Sequence, residues 1–439
     1  GVTNNKANGL EITVGTINSA ISGSSGSTKI NTAGTVSLTD GNEISQAINL
    51  AAGTFNANAN GIKGGLAVTS GTVELTGGEL TTTITGSGST VIKAGTGTVT
   101  IGAGSVANNV TITSGTLAST LAKLGGTITN NATFNLTGDL TKNISGTGST
   151  VLQSTTSTVT ADRTVAGTLD LNGKTLGMND SAYETLTVGN LSGNGNLTLD
   201  VDATTTTGTS DTIYVNNTSS NSVLTITTLN LTKPTISAGE SKNSTMRVLT
   251  GNSNGASLEL SSDVSSQYNK VTNNTNTGTD LLDSNAIDWD DDFGGWEQIE
   301  TTTETLAVTS SSGSLKDSLT YTINKALGAK NYTSKVENLA AINTYTDSEN
   351  RSIDFTGIHA DPTANGTYTV KANLGTTSAG TLTLNGEKVG DSNTIVDLDG
   401  HNGFTISGAN TLAINNVKLT GNDTLLTVSN SSANVNLNN

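Results

Sequence analysis

Cysteine is absent from the 439 residues of this chain. A disulfide scaffold, a thiolate zinc site and a cysteine nucleophile are therefore excluded. Histidine is scarce as well, since His359 and His401 are the two in the chain, and neither a G-x-S-x-G nor an H-E-x-x-H motif occurs. We therefore predict that the chain is not an enzyme and assign no catalytic residues.

Large apolar side chains are also few. Only 33% of the residues are hydrophobic and 3% are aromatic, whereas glycine contributes 51 residues and proline 2. A globular core for a chain of this length normally contains more large apolar side chains. Disorder would fit such a composition, but only 13% of the residues are charged and valine, leucine and isoleucine recur at the period of a β-strand. The composition favours one solenoid over several globular domains.

Basic residues are outnumbered, with 20 Lys and Arg against 36 Asp and Glu and a net charge of −16. This balance argues against nucleic acid as a partner, because phosphates are bound by Lys and Arg. No apolar run approaches the roughly 18–20 residues of a membrane-spanning helix, so we expect no direct membrane insertion. An acidic surface suits a soluble, exposed protein.

One passage of the chain occurs twice in closely similar form, and we call it the sequence repeat. Residues 78–100 read GELTTTITGSGSTVIKAGTGTVT, and residues 138–160 read GDLTKNISGTGSTVLQSTTSTVT. The matched positions are mostly apolar residues and glycines, and the flanking runs alternate apolar with polar residues. Such a repeat is typical of a stacked architecture. It predicts β-strand coils of roughly 20 residues, three to each repeat.

The alternation of apolar and polar residues, and its interruption, divides the chain into three parts. We predict a β-solenoid over 1–281, an acidic and aromatic connecting or inserted module over 282–363, and a continuation of the solenoid over 364–439. A helix-like patch lies near 43–52, and the best helix candidates lie within 313–343. The predicted fold class is all-β, a parallel β-solenoid with a small irregular, partly helical insertion.

Four strings carry a resemblance to a known family: GTLDLNGKTL (167–176), SGNGNLTLDVD (192–202), SDTIYVNN (210–217) and GFTISGANTLAINNVKLTG (403–421). They resemble the passengers of bacterial autotransporters and other large surface adhesins of Gram-negative type. The resemblance covers about two thirds of the chain and is one of pattern rather than of invariant residues. It implies a right-handed parallel β-helix, displayed on the bacterial cell surface in association with the outer membrane, or shed from it.

The most unusual local chemistry lies between residues 283 and 300. Three closely spaced acids, Asp288, Asp290 and Asp292, surround Trp289, and Trp296 follows. Several carboxylates suit a calcium ion, and exposed tryptophans suit stacking against sugars. The structural alternative, which we favour, is that the aromatic residues form a small core and the acids are solvated.

A second calcium candidate is Asp397 with Asp399, in the string DLDGHNG. The spacing resembles the start of a calcium loop, but the remainder of an EF-hand, including its final glutamate, is missing. Because Asp, Asn and Gly are turn residues, we favour a solenoid corner here. We therefore assign no cofactor and keep calcium as an open alternative.

Three functions follow from these observations. The first is a non-enzymatic surface or secreted protein, an elongated solenoid stalk that mediates adhesion or surface coating by binding a glycan or protein of a host or neighbouring cell. The second is a self-assembling extracellular filament or surface-layer subunit, whose partners are copies of itself stacked through open solenoid ends. The third is a polysaccharide-acting β-helix enzyme, whose paired carboxylates are not readable from sequence.

Overall fold

We describe the fold from a computed structural model of the chain. The described residues are 1–7, 9–217, 221–281, 293–310, 315–334, 350–354, 367–369, 376–377, 380–389, 392–398, 403–407, 409–421 and 424–438.

The protein is an all-β solenoid of about 17 turns, in which strands of successive coils pair in parallel. Leu66 illustrates the stacking, because it pairs with Ile48 of the preceding coil and with Ile84 of the following one. The two partners are equally far from Leu66 along the chain, as expected for coils of one length. The prediction of a parallel β-solenoid is confirmed.

The strands vary from 2 to 20 residues in length and follow one another closely along much of the chain. The first group comprises β1 (Val2–Thr3), β2 (Leu10–Ile12), β3 (Gly15–Ile17), β4 (Ile21–Ser22), β5 (Ser27–Leu38), β6 (Ala47–Ala57), β7 (Leu66–Val68), β8 (Thr72–Leu75), β9 (Gly78–Leu80), β10 (Thr83–Thr85), β11 (Ser89–Ile101), β12 (Ser105–Val106) and β13 (Asn109–Ser119). The second comprises β14 (Ile128–Asn130), β15 (Thr133–Leu136), β16 (Ile144–Ser145), β17 (Ser149–Leu152), β18 (Thr156–Thr158), β19 (Arg163–Asp170), β20 (Thr175–Gly177), β21 (Thr185–Ser192), β22 (Gly195–Asp202), β23 (Thr209–Ser210), β24 (Thr212–Val215), β25 (Ser222–Thr232), β26 (Ser241–Gly251), β27 (Ala256–Leu260) and β28 (Lys270–Leu281).

The last group comprises β29 (Phe293–Ser310), β30 (Leu315–Ser334), β31 (Asn350–Asp354), β32 (Thr367–Thr369), β33 (Thr376–Thr377), β34 (Thr381–Asn385), β35 (Lys388–Val389), β36 (Ser392–Asp397), β37 (Phe404–Ile406), β38 (Thr411–Asn415), β39 (Val417–Thr420), β40 (Leu426–Val428) and β41 (Asn434–Asn438). Within the described residues, the helical segments are the 3-10 turns Ala59–Gly61 and Leu121–Lys123 and the helix α1 (Ser262–Tyr268). No helix in the part of the chain that the structure describes has the length and apolar character needed to cross a membrane.

Inward-pointing side chains stack into columns that run from coil to coil. One column, here called the first, contains Leu10, Thr28, Ile48, Leu66, Ile84, Val106 and Leu124. The second contains Val36, Phe55, Val73, Thr90, Val110, Ile128, Ile144, Val165, Val188 and Val215. The third contains Val99, Leu117, Phe134, Thr150, Leu169 and Leu191. Most of these side chains are fully buried, so each coil is stabilised by the coils on either side of it.

The sequence repeat does not map one column onto itself. Ile84 belongs to the first column, but its counterpart in the repeat, Ile144, belongs to the second. In the same way Thr90 lies in the second column and its counterpart Thr150 in the third. The repeat therefore covers three coils plus the step from one column to the next along the chain. The prediction that the repeat corresponds to three coils is wrong.

Coils become longer towards the middle of the chain. In the second column the paired residues Ile128 and Ile144 are the nearest to each other along the chain, and Val188 and Val215 are the furthest apart. Part of the added length lies in loops between strands. One of these loops, between β20 and β21, contributes to the site described below.

The contacts between residues divide the chain into two compact units. The first consists of Gly1–Thr235, Lys242–Lys270 and Glu304–Ile323, and the second of Ile236–Ser241, Val271–Thr303 and Asn324–Asn439. The second unit has its own core of buried apolar residues, which are Leu382, Leu384, Val396, Leu398, Phe404, Ile406, Leu412, Ile414 and Val417. Parallel pairing of β34 with β38 and of β38 with β41 aligns this core.

The predicted helices are not helical where the structure describes them, and most of their described residues lie in strands. The patch near 43–52 overlaps β6, and residues 315–334 of the second candidate form β30. Within β30 the residues Asp317, Leu319, Tyr321 and Ile323 are all buried and their neighbours are less so, which is a period of two. Burial on a neighbouring coil overrides the local helix pattern here. Residues 335–343 lie outside the described part.

Candidate functional site

Most of the sequence-predicted site residues fall in segments that the structure does not describe. Asp288, Trp289, Asp290, Asp292 and Asp399 lie outside the described residues, as do His359 and His401. Trp296 lies in β29. The sugar-stacking pair Trp289 and Trp296 therefore stays a prediction.

Asp397 is the one predicted calcium ligand that the structure places in detail. It is the last residue of β36, half-buried, and pairs with Thr369 and Thr420 in the ladder. Among the residues described, no group of three or more histidine or acidic side chains is arranged to hold a metal ion. Calcium binding in the segments outside this set stays a prediction.

A different group of acids forms the candidate site, and we call Glu184, Asp200 and Asp211 the acidic cluster. Their exposed fractions are 4%, 4% and 0%. The Asp211 carboxylate lies at the centre: Oδ1 accepts a hydrogen bond from the Glu184 backbone N–H at 2.9 Å, and Oδ2 accepts one from the Asp200 backbone N–H at 2.7 Å. One side chain thus joins three separate segments of the chain.

Strand pairing brings these three residues together. Glu184 and Asp211 directly precede the paired strands β21 and β24, and the Thr212 N–H donates to the Glu184 carbonyl at 2.8 Å. Asp200 lies in β22, where its neighbours Leu199 and Val201 are buried in the solenoid core. Because side chains alternate along a strand, Asp200 points out of that core.

Other segments cover Asp200 on the outside of the solenoid. Its Oδ2 accepts a hydrogen bond from the backbone N–H of Ser181 at 2.5 Å, and its Oδ1 accepts one from the Asn230 side-chain amide at 2.8 Å. Ser181 has a φ of 80°, a left-handed conformation that is uncommon for a residue with a side chain. The loop before β21 is therefore held over Asp200 by a hydrogen bond to its carboxylate.

Two carboxyls of the acidic cluster, Glu184 and Asp211, have raised pKa values. Burial raises the pKa of Asp211 to about 7; the two backbone N–H donors oppose this shift, and the neighbouring Glu184 adds to it. Burial also raises the pKa of Glu184, and the negative charges of Asp180, Asp200 and Asp162 add to that effect. The side chains of Glu184 and Asp211 are close enough for each to change the pKa of the other. Both carboxyls are therefore protonated more readily than an exposed carboxyl.

A cavity of about 280 Å³ opens beside the cluster. It is lined by Ser181, Tyr183, Asp200, Asn230, Leu231 and Thr232. Asp200 is buried at this cavity, whereas the Tyr183 side chain is 43% exposed. Burial raises the pKa of the Tyr183 hydroxyl, and the charges of Asp202, Asp200 and Asp211 raise it further.

Glu304 is a second buried carboxylate, and unlike the acidic cluster it is paired with cations. Glu304 Oε2 lies 2.5 Å from Lys233 Nζ and accepts a hydrogen bond from the Tyr321 hydroxyl at 2.7 Å. Lys270 lies 4.0 Å from Oε1. Burial acts to raise the pKa of Glu304, but the hydrogen bonds and positive charges outweigh it and lower the pKa. Side chains of the same chain supply the positive charge and the hydrogen bonds that this carboxylate needs, so we assign it a structural role.

Sequence reasoning misses the acidic cluster. Asp200 and Asp211 are 11 residues apart, and Glu184 and Asp211 are 27 apart, so no local motif unites them. The usable signal is the string LTLDVD, where an acid interrupts an apolar strand, but turns rich in Asp and Asn occur throughout this chain. Comparison with family models, with curated proteins and with solved structures finds no match to this chain.

Proposed function

We propose that the chain is a non-enzymatic structural or adhesive protein, carried on the surface of a bacterium or released from it, in the manner of an autotransporter passenger. The observation that carries the proposal is the coil-to-coil continuity of the buried columns. The second column alone joins ten coils through directly paired residues, from Val36 to Val215. Such stacking extends a chain and displays its outward face.

The outward face of the coils supports a role in contact rather than in catalysis. Between the buried residues it presents threonine, serine and asparagine, and these join successive coils, as in the Thr72–Ser89 and Thr129–Ser145 hydroxyl pairs at 3.0 Å. The paired carboxyls Glu184 and Asp211 are buried, which separates them from any polymeric substrate. A polar, regular surface suits recognition of a host or neighbouring-cell glycan or protein.

Binding of the purified chain to cultured epithelial cells and to a glycan array tests the proposal. We expect saturable binding that depends on the folded solenoid. The matched control is Phe134→Asp, which places a charge in the third column where Phe134 is fully buried. Binding no stronger than that of this unfolded control, or release of oligosaccharides from a polysaccharide panel, would contradict the proposal.

Assembly of copies is a second candidate, and the continuity of an apolar column through β34, β38 and β41 favours it. Leu384, Ile414 and Leu437 occupy successive positions of one column, and their exposed fractions are 0%, 5% and 71%. Burying Leu437 against a further strand would extend the same column. We expect concentration-dependent association in sedimentation velocity, and Leu437→Lys abolishes it while Lys418→Glu, on an exposed site of β39, does not. A monodisperse monomer at all concentrations would exclude this candidate.

A further inference from the structure

A second cavity, of about 540 Å³, lies at a corner of the solenoid, and we call it the corner cavity. Its lining includes Asn109, Gly125, Gly126, Thr127, Lys142 and Asn143. Pairing of Val110 with Ile128 and of Ile128 with Ile144 places these residues in three successive coils. Asn109, Thr127 and Asn143 are exposed, so the cavity is open to solvent. Its volume lies in the range of small-molecule sites.

Two consecutive glycines keep the corner cavity free of side chains. A Cβ on Gly126 would lie 2.6 Å from the Asn108 carbonyl oxygen of the preceding coil, and a Cβ on Gly125 would lie 2.6 Å from the Ala107 carbonyl oxygen. Both positions therefore require glycine, because a Cβ does not fit so close to a backbone oxygen. The same requirement leaves open space at this corner, which Lys142 of the next coil borders.

Lys142 is the one charged side chain among the residues that line the corner cavity. Its Nζ donates to the carbonyl oxygens of Leu124 and Gly125, the second at 3.2 Å. An ammonium group has three N–H donors, so one of them remains. The ion pairs of the described residues do not include Lys142, so its charge has no carboxylate partner there. The carbonyls fix the position of this cation without neutralising it.

A second cation occupies the equivalent position of the following coil. Ile144 pairs with Val165, and Lys142 and Arg163 stand at the same distance before them. Arg163 donates from Nη1 to the Asp162 carbonyl, whereas the Asp162 carboxylate accepts the backbone N–H of Thr185. Arg163 also belongs to none of the ion pairs of the described chain. Two adjacent coils thus carry positive charge at one corner of a chain whose net charge is −16.

The amides of the corner cavity are oriented by the coils that they join. Asn109 Oδ1 accepts hydrogen bonds from the Thr127 N–H at 3.0 Å and from the Thr127 hydroxyl at 2.9 Å. Asn143 Oδ1 accepts one from the Thr164 N–H at 2.9 Å. Each amide therefore keeps its Nδ2 group as a donor, and the Thr127 oxygen, whose proton is given to Asn109, remains an acceptor.

We infer that the corner cavity binds a sugar residue that carries a carboxylate, such as a uronic acid or a sialic acid. The Lys142 ammonium group supplies the counter-charge, and the Nδ2 groups of Asn109 and Asn143 donate to oxygens of the ligand. The Thr127 oxygen accepts from a sugar hydroxyl, and the glycine backbone packs against C–H groups of the ring. This inference rests on the proposed adhesive function, because it names the class of glycan that the surface recognises.

The chemistry of the corner cavity favours this ligand over other sugars and anions. A neutral sugar would leave the Lys142 charge without a partner. A small inorganic anion would pair with Lys142 but fill little of the 540 Å³ and reach few of the oriented amides. Nucleic acid needs a series of cations along its phosphates, and the cavity lining supplies one.

Isothermal titration calorimetry of the full chain at pH 7 and low salt tests the inference. The probes are trigalacturonate and sialyllactose, which separate a uronate from a sialate as the source of the carboxylate. Galactotriose and lactose are their neutral counterparts, and sodium acetate supplies a carboxylate without a sugar ring. We expect saturable binding of at least one acidic sugar, at least tenfold tighter than its neutral counterpart and than acetate.

Two variants and a matched control locate the bound sugar. Lys142→Gln removes the counter-charge and should weaken binding of the acidic sugar at least tenfold. Asn143→Asp keeps an oxygen that accepts the Thr164 N–H, but it replaces the amide donor with a negative charge and should also weaken binding at least tenfold. Lys63→Gln removes the same charge as Lys142→Gln at an exposed site outside the cavity, and it should leave the affinity unchanged. Melting curves establish that each variant is folded.

Failure of this inference is distinguishable from failure of the adhesive proposal. Absent binding of both acidic sugars, equal binding of the neutral sugars or of acetate, or unchanged affinity in a folded Lys142→Gln or Asn143→Asp variant would each overturn the inference. Attachment to cells without binding of acidic sugars would contradict the inference alone. Binding of acidic sugars without attachment to cells or to a glycan array would contradict the adhesive function alone.

Discussion

At the scale of single residues, the molecule separates two kinds of buried carboxylate. Glu304 is paired with Lys233 and hydrogen-bonded by Tyr321, and its pKa is lowered. Asp211 accepts two backbone N–H groups but faces another carboxyl, and its pKa is raised to about 7. The difference follows from what surrounds each group, because burial alone opposes ionisation in both.

The raised pKa of Asp211 predicts how pH affects stability. In the unfolded chain an aspartate loses its proton near its ordinary value of 3.8, whereas the folded protein keeps the proton until about pH 7. Between these values the folded state binds more protons, so this group lowers the free energy of unfolding as pH rises from about 4 to 7, with no further change above that range. We expect Asp211→Asn to reduce the fall in thermal midpoint between pH 5 and pH 8.

Asp139→Asn is the control for this pH experiment, since Asp139 is exposed and its carboxylate accepts a hydrogen bond from the Thr158 N–H, away from the acidic cluster. Its melting curves at pH 5 and pH 8 should differ by the same amount as those of the unmodified chain. An equal pH dependence in Asp211→Asn and in the unmodified protein would show that the carboxyl pair is not proton-linked to folding.

At the scale of the strands and their corners, tight turns decide whether one coil can lie on the next. Gly71 turns the chain between β7 and β8 with a φ of 103°, and a Cβ at this position would lie 2.2 Å from the Gly53 carbonyl oxygen of the preceding coil. Gly41 also has a positive φ, of 84°, but no atom lies within 4 Å of its Cβ position. Substitutions of these two glycines therefore distinguish two effects. Both introduce backbone strain, but only the one at Gly71 introduces a clash between coils.

We predict that Gly71→Ala lowers the thermal midpoint more than Gly41→Ala does. The Gly41 variant bears only the left-handed conformation of alanine, roughly 1–2 kcal/mol. The Gly71 variant bears this strain and must also push two coils apart, which disturbs the adjacent ladder hydrogen bonds. Circular dichroism melting curves of both variants provide the comparison, and equal midpoints would show that close stacking at Gly71 does not limit stability.

At the scale of the whole molecule, the pairing register rather than the sequence repeat defines the structural unit. Leu66 and Ile84 are equivalent positions of neighbouring coils. Ile84 and Ile144 are equivalent in the sequence repeat but lie in different columns. Similar sequences can lie in different columns because each column requires the same residue types, namely an apolar residue in the interior and a small residue at the corner.

This register predicts opposite results for two deletions. Removing residues 67–84 joins Leu66 to residue 85 and omits one coil, so the columns stay aligned and the protein should keep a cooperative melting transition. Removing residues 85–144 joins Ile84, a residue of the first column, to residue 145, which follows a residue of the second column. Every later residue is then moved out of its own column. We expect this variant to lose cooperativity or to aggregate. Circular dichroism melting and gel filtration measure both outcomes, and equal behaviour of the two deletions would contradict the column assignment.

Much of the fold was predictable from the sequence, whereas the candidate site was not. Alternation of apolar and polar residues, as at Thr381–Asn385, reports a half-buried strand directly. The helix prediction within 313–343 is wrong over residues 315–334, because Leu315, Leu319 and Ile323 fit a helical spacing as well as a strand spacing. Only contact with neighbouring strands distinguishes the two. The carboxyls of Glu184 and Asp211 come together by coil pairing, which no local stretch of sequence encodes.

The sequence by itself determined the class of the protein, a stack of parallel β-coils with an acidic surface and no cysteine chemistry. Its short apolar alternations and glycine-rich corners permit little else, because they can bury apolar area only against copies of the same pattern. The tertiary structure decided the register of the coils and the place of the acidic cluster. Both depend on which residues lie opposite each other in adjacent coils, and that pairing is set by side-chain burial across the whole stack rather than by any short segment.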